Sequence, residues 1–240
     1  MQRILVLNPK GGSGKTTIAT NLASYYASIG DRPMLLDNDP QGSSTRWLKK
    51  RRSEQAQIHG VAAFDRTSRM TRAFQMRVPA GTGHVIVDTQ AAVSSQDLPE
   101  MTRSADAIIV PVFPSDIDID ACSKCIADLL LIAKVRRDEH RIGVIANRVR
   151  KNTLIYQSLL RFLETLQIPV ITSIRDSQNY VRAAENGVGI HEMKRYLVET
   201  DLTEWAPLLA WLKAKEALIK ENPGTQDDSL PIATALPESA

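Results

Sequence analysis

Residues 3–23 read RILVLNPKGGSGKTTIATNLA, and the change of pattern inside this stretch decides the fold. Ile4 to Leu7 is a short continuous apolar run, as a strand buried on both faces requires. It ends at Asn8-Pro9, gives way to Lys10-Gly11-Gly12-Ser13-Gly14-Lys15-Thr16-Thr17, and is followed by the helical pattern TTIATNLASYYASIG over residues 16–30. Strand, glycine-rich loop and helix N-terminus in that order are the setting of a phosphate-binding loop. Glycines let backbone N–H groups turn inward around a phosphate, and the helix dipole favours its negative charge. In such a loop Lys15 reaches the β and γ oxygens, while Thr16 supplies a hydroxyl to Mg²⁺. A glycine turn that only joined strand to helix would have no need of Gly-Lys-Thr at its end.

Working outward, short apolar runs alternate with longer helical patterns, the signature of a parallel sheet covered on both faces. Strands are predicted at 3–8, 33–37, 84–88, 107–112, 141–147 and 169–173, with 58–64 a further candidate. Helices are predicted over about 15–29, 44–55, 116–135, 152–166, 177–185 and 201–220. The expected fold is therefore α/β, a single domain with a doubly wound, mostly parallel sheet, spanning residues 1–221. Residues 222–240, NPGTQDDSLPIATALPESA, have three prolines and no apolar period, and are expected to be a disordered tail.

Charge divides along the same line. The 240 residues carry a net charge of +3; the tail has three acids and no Lys or Arg, leaving 30 basic against 24 acidic side chains before it. The segment 1–221 is basic and the tail acidic. No apolar run approaches the roughly 18 residues of a membrane span, and Met1 leads into the first strand without a signal-peptide pattern, so a cytoplasmic location is expected. Cys122 and Cys125 have C-x-x-C spacing, but they lie in a helical pattern with no second pair and read as core thiols.

The strict phosphate-loop pattern G-x-x-x-x-G-K-[ST] fails at its first position, which is Pro9. In its place the chain has K-G-G-x-G-K-T beginning at Lys10, and this form resembles the deviant Walker A loop of the ParA/MinD family of P-loop ATPases. The resemblance spans residues 2 to about 195 and implies ATP and Mg²⁺ as ligands, slow intrinsic ATP hydrolysis, and an ATP-dependent homodimer in which Lys10 reaches the nucleotide of the partner subunit. The string LLDNDPQG resembles the family's D-x-D-P-Q signature, with Asp37, Asp39, Pro40 and Gln41 in place. Two carboxylates at i and i+2 beyond a strand end suit metal-bound waters and the orientation of an attacking water. By resemblance, Asp39 serves hydrolysis and Asp37 lies nearer the metal. Asp88, closing the strand HVIVD, fits a Walker B carboxylate. The chain then continues Thr89-Gln90-Ala91-Ala92 where the family has a proline, which leaves the conformation of the loop to Leu98 open. In VIANR, Asn147 resembles the family's adenine-reading asparagine; Pro114 and residues 175–179 are further expected walls of that pocket.

Three surfaces separate the function classes. Arg46, Lys49, Lys50, Arg51 and Arg52 cluster in RWLKKRR, followed by Arg148, Arg150, Lys151, Arg161 and Arg175; by resemblance, Arg182, Lys194 and Arg195 are the candidate DNA contacts of a nucleoid-associated protein. Such contacts bind phosphates without sequence preference. No helix-turn-helix pattern precedes the loop, so operator recognition is not expected. Leu202, Trp205, Leu208, Leu209 and Leu212 recur at helical spacing and read either as a face packed on the sheet, the preferred reading, or as a MinD-like membrane anchor. Relatives of the family also carry out iron–sulfur electron transfer and amidoligase synthesis; the iron–sulfur version needs cysteines ending loops near a dimer axis, whereas Cys122 and Cys125 lie three residues apart in one helical pattern. The expected role is a ParA-type ATPase positioning a plasmid, a chromosome region or a protein organelle such as a carboxysome, with an activator of ParB or equivalent type. A MinD-like membrane-cycling regulator is the alternative.

Overall fold

The computed structural model describes residues 1–65, 77–91, 93–150 and 152–221. The expectations for Ala92, Lys151 and the tail 222–240 fall outside them. Among the described residues seven strands form one sheet: β1 (Gln2–Val6), β2 (Met34–Asp37), β3 (His59–Ala62), β4 (His84–Asp88), β5 (Ala107–Val112), β6 (Ile142–Val149) and β7 (Val170–Arg175). Their order is β3-β2-β4-β1-β5-β6-β7, with every pairing parallel. Strand β1 lies at the centre, and the chain winds outward from it to both edges. The crevice beyond the carboxyl ends of the central strands is where a fold of this kind receives its ligand.

The helices are α1 (Lys15–Ser28), α2 (Ser43–Leu48), α3 (Leu98–Arg103), α4 (Asp116–Leu131), α5 (Leu154–Thr165), α6 (Gln178–Glu185) and α7 (Arg195–Glu221). Alternate residues of each strand feed two cores. On one face Leu5, Val87 and Val110 meet Met101 of α3, Cys122, Cys125 and Leu129 of α4, and Leu159 of α5. On the other, Ile4, Val6, Ile86 and Ile109 meet Ile18 and Leu22 of α1, Trp47 of α2, and Trp205, Leu208 and Leu212 of α7. The continuous apolar runs of the sequence thus have a packing cause: both sides of each central strand are covered.

Several boundaries differ from expectation, among them the helix expected over 116–135, which ends at Leu131. The helix expected over 44–55 ends at Leu48, because the chain turns at Lys49 to carry Arg51 beneath the segment after α6. The last helix begins at Arg195, six residues ahead of the expected 201, since Val198 and Asp201 already face the interior. Helix α3, a six-residue segment with proline near its start, begins where the expected loop ends, in a stretch to which no element was assigned.

The apolar stripe of α7 is spent on the core. Trp205, Leu208 and Leu212 are fully buried, and Trp205 Nε1 donates to the Tyr180 hydroxyl at 2.8 Å. Among the described residues no helix is long and apolar enough to cross a membrane. Both cysteines are buried in α4, where burial pushes their thiols well above the ordinary range, with Cys122 raised to about 12. That leaves inert core thiols. Trp205→Ala removes a fully buried indole and its hydrogen bond, and should cost about 3–5 kcal/mol of stability in chemical denaturation; a loss below about 1 kcal/mol would mean that α7 is not part of the core.

Candidate nucleotide site

Strand β1 ends at Val6, and the loop crosses the carboxyl end of the sheet into α1. Asn8 anchors it: Nδ2 donates to Pro111 O at 2.7 Å, and Oδ1 accepts from Lys10 N at 2.8 Å. Gly12 and Gly14 both take positive φ, +82° and +97°, which explains glycine at these positions. Ser13 is buried and Gly11 and Gly12 are exposed, so the loop presents its backbone outward while its side chain points inward. Lys15 curls back into the loop, donating from Nζ to Asn8 O at 3.0 Å and to Lys10 O at 3.2 Å. Burial lowers its pKa, a shift opposed by Asp88, Asp39 and Cys125. Thr17, next in the chain, is half-buried in the first turn of α1.

Lys10 is placed differently. Its Nζ leaves the loop and pairs with Asp118 Oδ2 at 2.5 Å, with the lysine side chain 33% exposed. Asp118 is itself held at the start of α4, where its backbone N–H donates to Ser115 Oγ and its carboxylate accepts from the same hydroxyl. Asp118 was missed in the sequence, although a carboxylate three residues after a helix-capping serine was a signal within reach.

Asp37 and Asp88 end neighbouring strands as register partners. Both are buried, and each is held by hydroxyls from α2. Thr45 donates to Asp37 Oδ2 through both N–H and Oγ1 at 2.8 Å. Ser44 Oγ donates to Asp88 Oδ2 at 2.6 Å, and Thr16 Oγ1 to the same atom at 2.8 Å. Ser44 and Thr45 were missed in the sequence, hidden as ordinary residues of a helix start. Burial raises both carboxylate pKa values. For Asp88, raised to about 6, the Ser44 and Thr16 hydroxyls and Lys15 oppose the shift while Asp37 adds to it. Asp88 Oδ1 is buried without a hydrogen-bond partner among the described residues.

An orphaned carboxylate oxygen beside a second carboxylate and a threonine hydroxyl is a hard-oxygen donor set that fits Mg²⁺. Thr16, Asp37 and Asp88 would hold it, directly or through water, and the ion would neutralise charge on a bound triphosphate. Asp39 sits half-buried in the turn after β2, its Oδ1 accepting from Gln41 N at 2.9 Å and its N–H donating to Asp37 Oδ1 at 3.2 Å. The expected hydrolytic carboxylate is thus tied to the expected metal carboxylate through one backbone bond.

The residues expected around the adenine are engaged with other parts of the chain. Asn147 is buried behind the loop, with Nδ2 donating to Ser13 O at 2.8 Å and Oδ1 accepting from Arg148 N at 3.0 Å. It braces the loop here instead of offering an exposed amide edge, and a Cβ on Gly14 would lie 2.0 Å from Asn147 Nδ2. The expected wall at 175–179 is likewise committed elsewhere: Arg175 forms a two-toothed pair with Asp201 of α7, and Asn179 Nδ2 donates to Leu197 O and Asp201 Oδ2. Of the candidate DNA contacts, Arg182 on α6 and Lys194 and Arg195 at the start of α7 are exposed. Arg148 and Arg150 share Asp176.

For the ligand-free protein a carboxylate with a raised pKa holds its proton more tightly folded than unfolded. Its contribution to stability therefore falls as pH rises from about 4 to about 6. Asp88→Asn should remove that loss and stabilise the ligand-free protein at pH 7.5 by roughly 1–3 kcal/mol in calorimetry, while abolishing Mg²⁺-dependent nucleotide binding. A destabilised ligand-free variant would contradict the buried charge.

Known proteins match this architecture. Residues 4–190 match the family model described as CobQ/CobB/MinD/ParA nucleotide binding domain. The maintenance of carboxysome distribution protein A of Halothiobacillus neapolitanus is 27% identical over 191 residues, covering 79% of this chain and 87% of that protein. The protein of the same description from Gloeobacter kilaueensis is 36% identical over 120 residues, 48% of this chain and 51% of that one. Among solved structures, a putative plasmid partition protein from Borrelia burgdorferi bound to AMPPNP has a TM-score of 0.63 at 16% identity, covering 89% of this chain and 99% of that one. The Cyanothece McdA variant in complex with ATP also has 0.63 at 16% identity, over 90% and 96%. The pNOB8 ParA bound to nonspecific DNA has 0.50 at 18% identity, over 70% and 78%. With its family match spanning most of its length, the chain belongs to the CobQ/CobB/MinD/ParA nucleotide-binding family and is an ATPase of the ParA/MinD type.

Proposed function

We propose that the chain is a ParA-type positioning ATPase. Mg-ATP joins two copies face to face, the dimer holds DNA without regard to sequence, and a cargo-bound activator of ParB or equivalent type stimulates hydrolysis and releases it. The observation that carries this reading is the unequal placement of the two loop lysines. Lys15 is buried and bonded to its own loop, so it serves the nucleotide of its own subunit. Lys10 stands at the rim in one ion pair with Asp118. Asp118 is buried, and its carboxylate keeps the Ser115 hydroxyl when Lys10 leaves, while the phosphates of a second subunit offer the lysine a polyanion in exchange. A partly exposed lysine whose side chain has one such partner is one that can work in trans.

Exposed Arg182, Lys194 and Arg195 supply cations to each subunit, and pairing two subunits doubles them. The DNA-bound pNOB8 ParA supports that use of the fold. Hydrolysis is slow without the activator: Asp39 positions water near the γ-phosphate, with Lys10 and Lys15 compensating developing charge, and no strong general base is assigned. The relative from Halothiobacillus, matched along most of its length, maintains carboxysome distribution. That favours a protein organelle as cargo over a plasmid, with the protein working in the cytoplasm on the nucleoid.

Fluorescence anisotropy with a random duplex at low salt tests this. ATP should give binding that ADP does not, and three contacts from each of two subunits should give a log–log salt slope of at most about −5. Asp39→Ala should stay DNA-competent in ATP and lose turnover. ATP-dependent binding to anionic liposomes with no binding to DNA would replace this reading with the membrane-cycling one.

A further inference from the structure

The cationic string RWLKKRR puts one of its members to a use other than DNA. Arg51, just past α2, forms a two-toothed pair with Glu192, its Nη1 at 2.9 Å and Nη2 at 2.7 Å from the carboxylate oxygens, and the two side chains are 7% and 11% exposed. Arg51 also donates to Gly187 O at 3.0 Å and to Ala56 O at 2.8 Å, and its guanidinium lies 5.1 Å from the Trp47 ring centroid. Lys50 Nζ donates to Ala184 O at 3.1 Å, Trp47 Nε1 to Val188 O at 3.4 Å. The backbones touch as well: a Cβ on Gly187 would lie 2.7 Å from Lys50 C and Arg51 N.

The other end of the same short helix holds Asp37 and Asp88 through Thr45 and Ser44. Six residues of α-helix span about 9 Å and have little internal give. A ligand that draws on the two carboxylates must compete with these hydroxyls or carry them along, so a shift in the first turn of α2 reaches its last turn. There it meets the segment between α6 and α7, which is flanked by Arg182 in α6 on one side and by Lys194 and Arg195 on the other.

We propose that α2 is a lever and the Arg51–Glu192 pair its joint, passing the state of the Asp37 and Asp88 carboxylates to the segment that carries the candidate DNA contacts. The inference rests on the functional reading above for its output, and on the nucleotide site alone for its input. Arg51 and Glu192 are positioning residues, touching neither nucleotide nor DNA.

Hydrogen–deuterium exchange of the full chain, with and without Mg-AMPPNP, reads the joint without DNA. Amides of residues 178–192 should change their exchange on nucleotide binding by a factor within the roughly two- to thirtyfold span of such couplings. Glu192→Gln keeps the shape of the side chain and removes its charge. It should lose most of that response while still binding nucleotide and unfolding cooperatively, at a lower temperature than the wild type because a buried pair is broken. Arg51→Lys, which keeps the charge and loses the two-toothed geometry, is the second variant and should behave alike. No response at 178–192 in the wild type, or an undiminished one in a folded variant, overturns the proposal. If the wild type binds no DNA in ATP and the exchange response is nevertheless present, the functional reading fails and the lever stands.

Discussion

Two carboxylates buried side by side set what the rest of the site must do. Asp37 and Asp88 end adjacent parallel strands, deep enough that desolvation raises both pKa values, and like charges at that spacing repel. The fold answers with hydroxyls: Thr16 from α1, and Ser44 and Thr45 from α2. The phosphate loop, the metal donors and the first turn of α2 are thereby one hydrogen-bonded unit. That is why a six-residue helix, too short to be stable by itself, has a fixed place.

Much of this was legible in the sequence, for identifiable reasons. Strands β4 and β5 were read to the residue because burial on both faces makes them unbroken apolar runs ending in Asp88 and Val112. The loop was legible because glycine at positive φ and the Gly-Lys-Thr ending serve phosphate chemistry and little else. Where long-range contacts override local pattern, the reading failed. Residues 49–55 have helix-forming side chains, yet the chain leaves the helix so that Arg51 can reach Glu192, 141 positions away. Asn147 keeps the chemistry of a base reader, and what could not be read was its bond to Ser13, 134 positions distant. No local pattern encodes either separation.

The cationic segments show the same division between composition and placement. Arg51 is buried against Glu192 and Arg175 half-buried against Asp201, whereas Arg182, Lys194 and Arg195 are exposed near the junction of α6 and α7. Counting charges showed that the chain is basic; the ion pairs decide which cations remain for a polyanion. The stripe of α7 follows similar logic, since its tryptophan and leucines close the second core and are not available to a bilayer.

The central claim concerns Lys10, the one loop lysine with somewhere else to go. Sedimentation velocity of the wild type and Lys10→Ala, each with Mg-AMPPNP and with Mg-ADP, tests it directly. The account predicts a wild-type dimer with AMPPNP only, and a variant that binds AMPPNP but sediments as a monomer. A Lys10→Ala variant that dimerises like the wild type would contradict it.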